Sequence, residues 1–183
     1  MTNILPTPID DGAGDHLFGL HLPDVALAST SGGQVSITNI STGRWIMFIY
    51  PRTGVPGQEE PIGWADIPGA KGCTAEACSF RDSLVELQEA GAHSVIGLSV
   101  QSSAYQREAV KRLHLPYPLL SDQQGRLAET LNLPTFAVAG LTLLKRMTLV
   151  IDGETIRHVF YPVFPAEDHA DQVRDWLHAN PAV

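Results

Sequence analysis

Cys73 and Cys78 are the only two thiols in this chain of 183 residues, and they stand five positions apart. A thiol acts as a nucleophile or a metal ligand through its thiolate. In a compartment that keeps thiols reduced, so close a pair is more often catalytic or metal-binding than a staple. A zinc site needs about four ligands, and none of the seven histidines lies close in sequence to the pair. Inert buried cysteines call for apolar neighbours, and Gly72, Thr74 and Glu76 are not apolar. What remains is thiol chemistry.

The flanking pattern shows how Cys73 becomes reactive. Cys73, Ala77, Phe80, Leu84 and Leu87 recur at alternating steps of four and three, which puts them on one face of a helix that Cys73 opens and that ends near Gly91. A helix N-terminus presents free N–H groups and partial positive charge, both of which stabilise a thiolate. Glu76 reads as a residue that favours the helix start through the same dipole rather than as a proton acceptor. Before the cysteine, residues 51 to 72 hold four prolines and five glycines, a density that excludes regular elements and predicts a long loop. That loop leaves the end of Trp45–Tyr50, a continuous apolar run stopped by Pro51 and suited to a central strand covered on both faces.

The remaining elements frame this strand and helix. Residues 1–20 read as an irregular, loosely packed arm, and Val25–Ser29 with Gln34–Ile37 as an N-terminal β-hairpin. Ser94–Ser99 forms a second buried strand, Tyr105, Ala109 and Leu113 mark a helix ending before Pro116, and Pro118–Leu120 gives a short strand. A small helix around Leu127, Ala128 and Leu131 stops at Pro134. Residues 147–151 and 156–160 then make a hairpin, and Ala170, Val173, Trp176 and Leu177 a last amphipathic helix. This order predicts one α/β domain spanning 1–183, thioredoxin-like, with a mixed central sheet flanked by helices.

Composition narrows the function classes. A formal charge of −8, with 12 Lys and Arg against 20 Asp and Glu, argues against nucleic acid or anionic membrane as partner. The apolar runs Trp45–Tyr50 and Thr135–Leu144 fall well short of the ~20 residues that span a bilayer. No export signal is visible at the N-terminus, so a cytoplasmic location is expected.

The segment Gly72-Cys73-Thr74-Ala75-Glu76-Ala77-Cys78-Ser79-Phe80-Arg81-Asp82 closely resembles the peroxiredoxin Q class of the AhpC/TSA superfamily, also called bacterioferritin comigratory protein. The resemblance continues through Tyr50-Pro51, Ile96–Ser99, Pro118–Asp122, Lys145-Arg146 before Leu149–Asp152, and His158–Phe160. It implies that Cys73 is the peroxidatic cysteine, that Cys78 resolves its sulfenic acid as an intrachain disulfide, and that Arg146 is the active-site arginine. Arg146 taken alone would read as a surface residue. One departure stands out. The family places a threonine three positions before the cysteine, where this chain has Ala70. Pro51-Arg52-Thr53-Gly54 resembles the start of the family pattern, with 54–72 as an inserted loop. Thr53 is then the candidate hydroxyl, with Thr74 or a plain turn role for Thr53 as alternatives.

The resemblance implies a peroxidase acting on hydrogen peroxide and organic hydroperoxides, without cofactor or metal, recycled by thioredoxin or a similar dithiol protein, as monomer or homodimer. Two rivals use the same residues. A thiol-disulfide oxidoreductase usually has two residues between its cysteines, not four, and a redox sensor or binding module would use the pair to switch a partner surface.

Overall fold

The computed structural model describes residues 5–182. The chain begins with β1 (Ala26–Ser29) and β2 (Gln34–Ser36), which form the expected antiparallel N-terminal hairpin. β3 (Arg44–Ile49) follows, then the long loop, then α1 (Cys73–Asp82) and α2 (Leu84–Glu89). β4 (Ser94–Ser99), α3 (Ser103–Leu113), β5 (Leu119–Ser121) and α4 (Arg126–Thr130) complete the middle. β6 (Thr135–Val138), β7 (Leu141–Leu144), β8 (Met147–Asp152), β9 (Thr155–Phe160) and α5 (His169–Ala179) end it.

Seven strands make one sheet in the order β2-β1-β5-β4-β3-β8-β9, while β6 and β7 form a separate hairpin. β3 pairs in parallel with β4, and β4 with β5; the other neighbours are antiparallel. This is the mixed sheet the element order predicted. β3 lies inside the sheet between β4 and β8, and every one of its side chains is buried. The two-residue period of a strand sends alternate residues to opposite faces. Ile46, Phe48 and Tyr50 meet Ala77, Phe80 and Leu87 of the α1–α2 region and Ala170, Val173 and Leu177 of α5. Trp45, Met47 and Ile49 meet Leu17, Leu127 and Leu144 on the other face. α1 is held down by the Phe48–Phe80 stack, with ring centroids 4.7 Å apart.

Two expectations change, and one run left without an element gains a structure. The helix predicted to run from Cys73 to near Gly91 breaks at Ser83, where α1 ends and α2 starts. The adjacent Asp82-Ser83 pair is weak helix material that competes for backbone hydrogen bonds. The apolar run Thr135–Leu144 is a β-hairpin turning through Ala139 and Gly140, both with positive φ (48° and 77°), as a two-residue primed turn requires. The arm is not loosely packed over its described part. Leu17 is fully buried, and the segment after it pairs with the β8–β9 hairpin through Gly19 N–H to Ile156 O and Leu22 N–H to Glu154 O. Residues 1–4 lie outside the described residues.

Candidate active site

Cys73 is the first residue of α1, entered through Gly72 in a left-handed conformation (φ 105°). A side chain at Gly72 would bring its Cβ to 2.8 Å from Ala166 Cβ, so both backbone and space demand glycine there. The helix start therefore lies where the loop returns to the carboxyl end of β3, the edge at which open α/β sheets carry their sites.

Cys73 is 4% exposed. Its Sγ donates to Ala70 O at 3.5 Å and receives Arg146 Nη2 at 3.2 Å. The backbone amide of Arg52 also favours its thiolate. Burial pushes the Cys73 thiol above its ordinary pKa, the Arg146 cation pulls it down, and Glu76 pushes it up again. The helix-start expectation of a simply acidified thiol is thus incomplete: in this closed arrangement desolvation is the largest influence.

Arg146, between β7 and β8, is buried rather than on the surface. It pairs through Nη1 with Glu76 Oε2 and donates to three successive loop carbonyls, Gly69 (3.3 Å), Ala70 (3.4 Å) and Lys71 (3.1 Å). Burial works against the guanidinium charge, but Cys73 and Glu76 outweigh it and hold Arg146 firmly protonated. Glu76 corrects the sequence reading. It is fully buried, and burial raises its carboxyl to about 7 despite the lowering effect of Arg146. Its Oε1 has no hydrogen-bond partner. The three-residue step from Cys73 puts both on one helical face, a spacing that carried this information and went unused.

Thr53 is buried, but its hydroxyl turns to Gln101 Oε1 at 3.3 Å, as does its N–H at 3.0 Å. Its carbonyl receives Gln101 Nε2 and Tyr105 Oη, both at 3.1 Å. Among the described residues, neither its hydroxyl nor that of Thr74 is hydrogen-bonded to Cys73. The amide side chain of Gln101 outcompetes the thiol for Thr53.

Cys78 is half-buried on the same helix, and both cysteines are free. The loop before Cys73 is not plain solvent decoration. It makes a short turn at Trp64–Asp66 and packs Trp64 and Ala70 against Val138 and Leu143 of the β6–β7 hairpin. No cluster of three or more metal-ligating side chains occurs among the described residues, and none of their helices is long and apolar enough to cross a membrane.

Known proteins share this arrangement. The redoxin family model matches residues 18–174. Chloroplastic peroxiredoxin Q of Gentiana triflora is 30% identical over 156 residues, covering 85% of this chain and 64% of that protein. Peroxiredoxin Bcp of Escherichia coli is 28% identical over 159 residues, covering 85% and 91%. The chain thus spans about two thirds of the length of the plant relative and nearly all of the bacterial one. Among solved structures, peroxidoxin BcpB of Mycobacterium tuberculosis is 30% identical with a TM-score of 0.71 over 89% of this chain and 97% of that one. With a thiol at a helix start, a buried arginine against its sulfur and a thioredoxin-like sheet beneath both, the chain belongs to the redoxin family, among peroxiredoxins of the Q and Bcp kind.

Proposed function

We propose that this chain is a thiol-dependent peroxidase in which Cys73 attacks the terminal oxygen of a hydroperoxide. The O–O bond breaks, the sulfur becomes a sulfenic acid, and the departing alkoxide or hydroxide takes a proton and leaves as alcohol or water. Cys78 then condenses with the sulfenic acid, releasing water and forming an intrachain disulfide, which prevents further oxidation. An external dithiol of the thioredoxin type restores both thiols. No cofactor takes part.

The observation that carries this reading is the 3.2 Å contact between Arg146 Nη2 and Cys73 Sγ at the N-terminus of α1. A fixed cation there stabilises the thiolate and the charge that develops on the departing oxygen. Thr53 acts indirectly, anchored by Gln101 next to Arg52, whose backbone amide favours the thiolate. The whole chain works as one domain, as monomer or homodimer, in a reducing compartment such as the cytoplasm, where both thiols start reduced. The test is NADPH oxidation coupled through thioredoxin reductase and thioredoxin. Hydroperoxide should be turned over by the wild type, and Cys73→Ser should retain under a few per cent of that rate. Equal rates would overturn the assignment of the nucleophile.

A further inference from the structure

Tyr117 stands between Pro116 and Pro118 on the segment that joins α3 to β5, and the two proline rings leave its backbone little freedom. Its side chain is buried edge-on to Phe48, with ring centroids 5.7 Å apart. From there its hydroxyl donates to the carbonyl of Ala77 at 2.5 Å. Burial pushes that hydroxyl well above its ordinary pKa, so it stays a donor. Ala77 immediately precedes Cys78, and its carbonyl belongs to the rigid, planar peptide unit from which Cys78 hangs.

Several contacts tie α1 to the rest of the domain. Phe80 stacks on Phe48, and Arg81 Nη1 donates to Leu113 O at 2.7 Å; both lie beyond Cys78. The Glu76–Arg146 pair and the Tyr117–Ala77 bond lie between the two cysteines. Five helical steps leave the thiols too far apart, and on different sides of α1, for a disulfide, so the peptide units between them must turn as it forms. Cys78 cannot swing round while the carbonyl before it stays on Tyr117. Resting on the peroxidase reading of Cys73, we propose that Tyr117 is a positioning residue for the resolving step: its hydroxyl holds α1 wound and thereby sets how the Cys73 sulfenic acid divides between disulfide and over-oxidation.

The two branches need different states of the helix. In the first, the Cys78 thiolate attacks the sulfenic sulfur, the S–S bond forms, and hydroxide leaves and takes a proton to become water. In the second, the sulfenate attacks a second hydroperoxide and gains its terminal oxygen, giving a sulfinic acid while water or alcohol departs. The second proceeds with α1 wound; the first requires the tether to break. Tyr117 sits in the apolar layer with Ile46, Phe48 and Leu119, where a donor without its acceptor is costly. The hydroxyl thus resists unwinding and slows resolution.

The test is Tyr117→Phe in the full chain, which keeps the ring against Phe48 and leaves the carbonyl of Ala77 its place in the helical ladder. Rapid-quench mass spectrometry with hydrogen peroxide follows thiol, disulfide and sulfinic acid together. Tyr117→Phe should form the disulfide about fivefold faster than the wild type, the size of one hydrogen bond. It should give about fivefold less sulfinic acid at high peroxide, with the rate of thiol loss unchanged. Ile151→Val removes one methylene from the core on the opposite face of the sheet and should leave that division unmoved. In the reduced protein, without peroxide, Tyr117→Phe should also lower hydrogen-exchange protection of the amides of residues 77–82 about fivefold. An unchanged division in Tyr117→Phe, or an equal change in Ile151→Val, overturns the proposal. A wild type that consumes no peroxide would sink the peroxidase reading instead; exchange then decides the tether, which a loss at 77–82 retains and equal protection overturns.

Discussion

Oxidation by one equivalent of peroxide is expected to melt the start of α1. Cys73 and Cys78 are the first and sixth residues of one continuous ten-residue helix. Five steps of ~1.5 Å and ~100° leave their Cα atoms about 8.6 Å apart and their side chains about 140° apart, beyond the ~7 Å at which a disulfide closes. Rotamer changes cannot bridge that, so the backbone between them must unwind. Glu76 lies within that stretch, and its burial against Arg146 is lost with it. Breaking a buried pair costs about 3–5 kcal/mol, which at ~1.36 kcal/mol per decade is a ~10²–10⁴-fold fall in protection against hydrogen exchange. The reporters are Glu76 N–H, bonded to Gly72 O at 2.8 Å, and the amides of residues 77 to 82 that follow it in the helix. Exchange measured by NMR on reduced and oxidised protein should show the loss there, while β3 amides stay protected. Equal protection in both states, with the disulfide confirmed by mass, would refute the helical basis assigned to Cys73.

Arg146→Lys keeps the charge but not the planar fork that reaches the sulfur, Glu76 and three carbonyls. Its kcat/KM for peroxide should fall about 10²–10³-fold in competition kinetics, and a rate within threefold of wild type would remove Arg146 from the chemistry. His169, fully buried and bonded to Thr148 Oγ1 at 2.8 Å, is pushed down by burial from 6.5 to about 4. A base that binds its proton more weakly when folded stabilises the fold fully above its unfolded pKa and loses that contribution as pH falls towards 4. Urea unfolding at pH 7 and pH 4 should therefore show the wild type losing on the order of 3 kcal/mol more than His169→Gln; parallel losses would discount the histidine. Gly97→Ala would drive its Cβ into Leu119 Cδ2 and to 2.7 Å from Phe48 Cζ. It should cost about 1–3 kcal/mol of stability by denaturant titration, and an unchanged midpoint would show that the α1 face of the sheet yields more easily than its packing suggests.

How legible each part was depended on which physical signal fixed it. β3 and β4 were plain because a strand buried on both faces must be apolar throughout, and Trp45–Tyr50 and Val95–Leu98 are. The start of α1 was equally plain, since its apolar residues keep helical spacing from Cys73 onward. The break at Ser83 was not, because Leu84 and Leu87 continue the same spacing past it. The β6–β7 hairpin was missed because its turn uses Ala139-Gly140 instead of the usual Asn-Gly or Asp-Gly. Nothing local in the arm announces that Asp11 finds Lys145 and Tyr161 some 134 and 150 positions away; such pairing is set by the closed fold alone.

The site itself shows why residue types were easier to read than their electrostatics. Cys73, Cys78 and Arg146 stand out by type and motif, but the balance among them depends on Glu76, which its three-residue step from Cys73 places on the same helical face. Two ionisable acids, Cys73 and Glu76, face a single guanidinium from one helical face. Burial pushes both acids up and Arg146 pulls both down, so the two compete for one positive charge. Ionising either one raises the cost of ionising the other. The thiol ionises more readily when Glu76 is neutral, and burial pushes the carboxyl in that direction. The unpartnered Oε1 of Glu76 is the atom on which the neutralising proton would sit while Oε2 keeps its bond to Arg146. Cys73 and Glu76 thus share one cation from one helical face, and the loop carbonyls that fix Arg146 hold that cation between them.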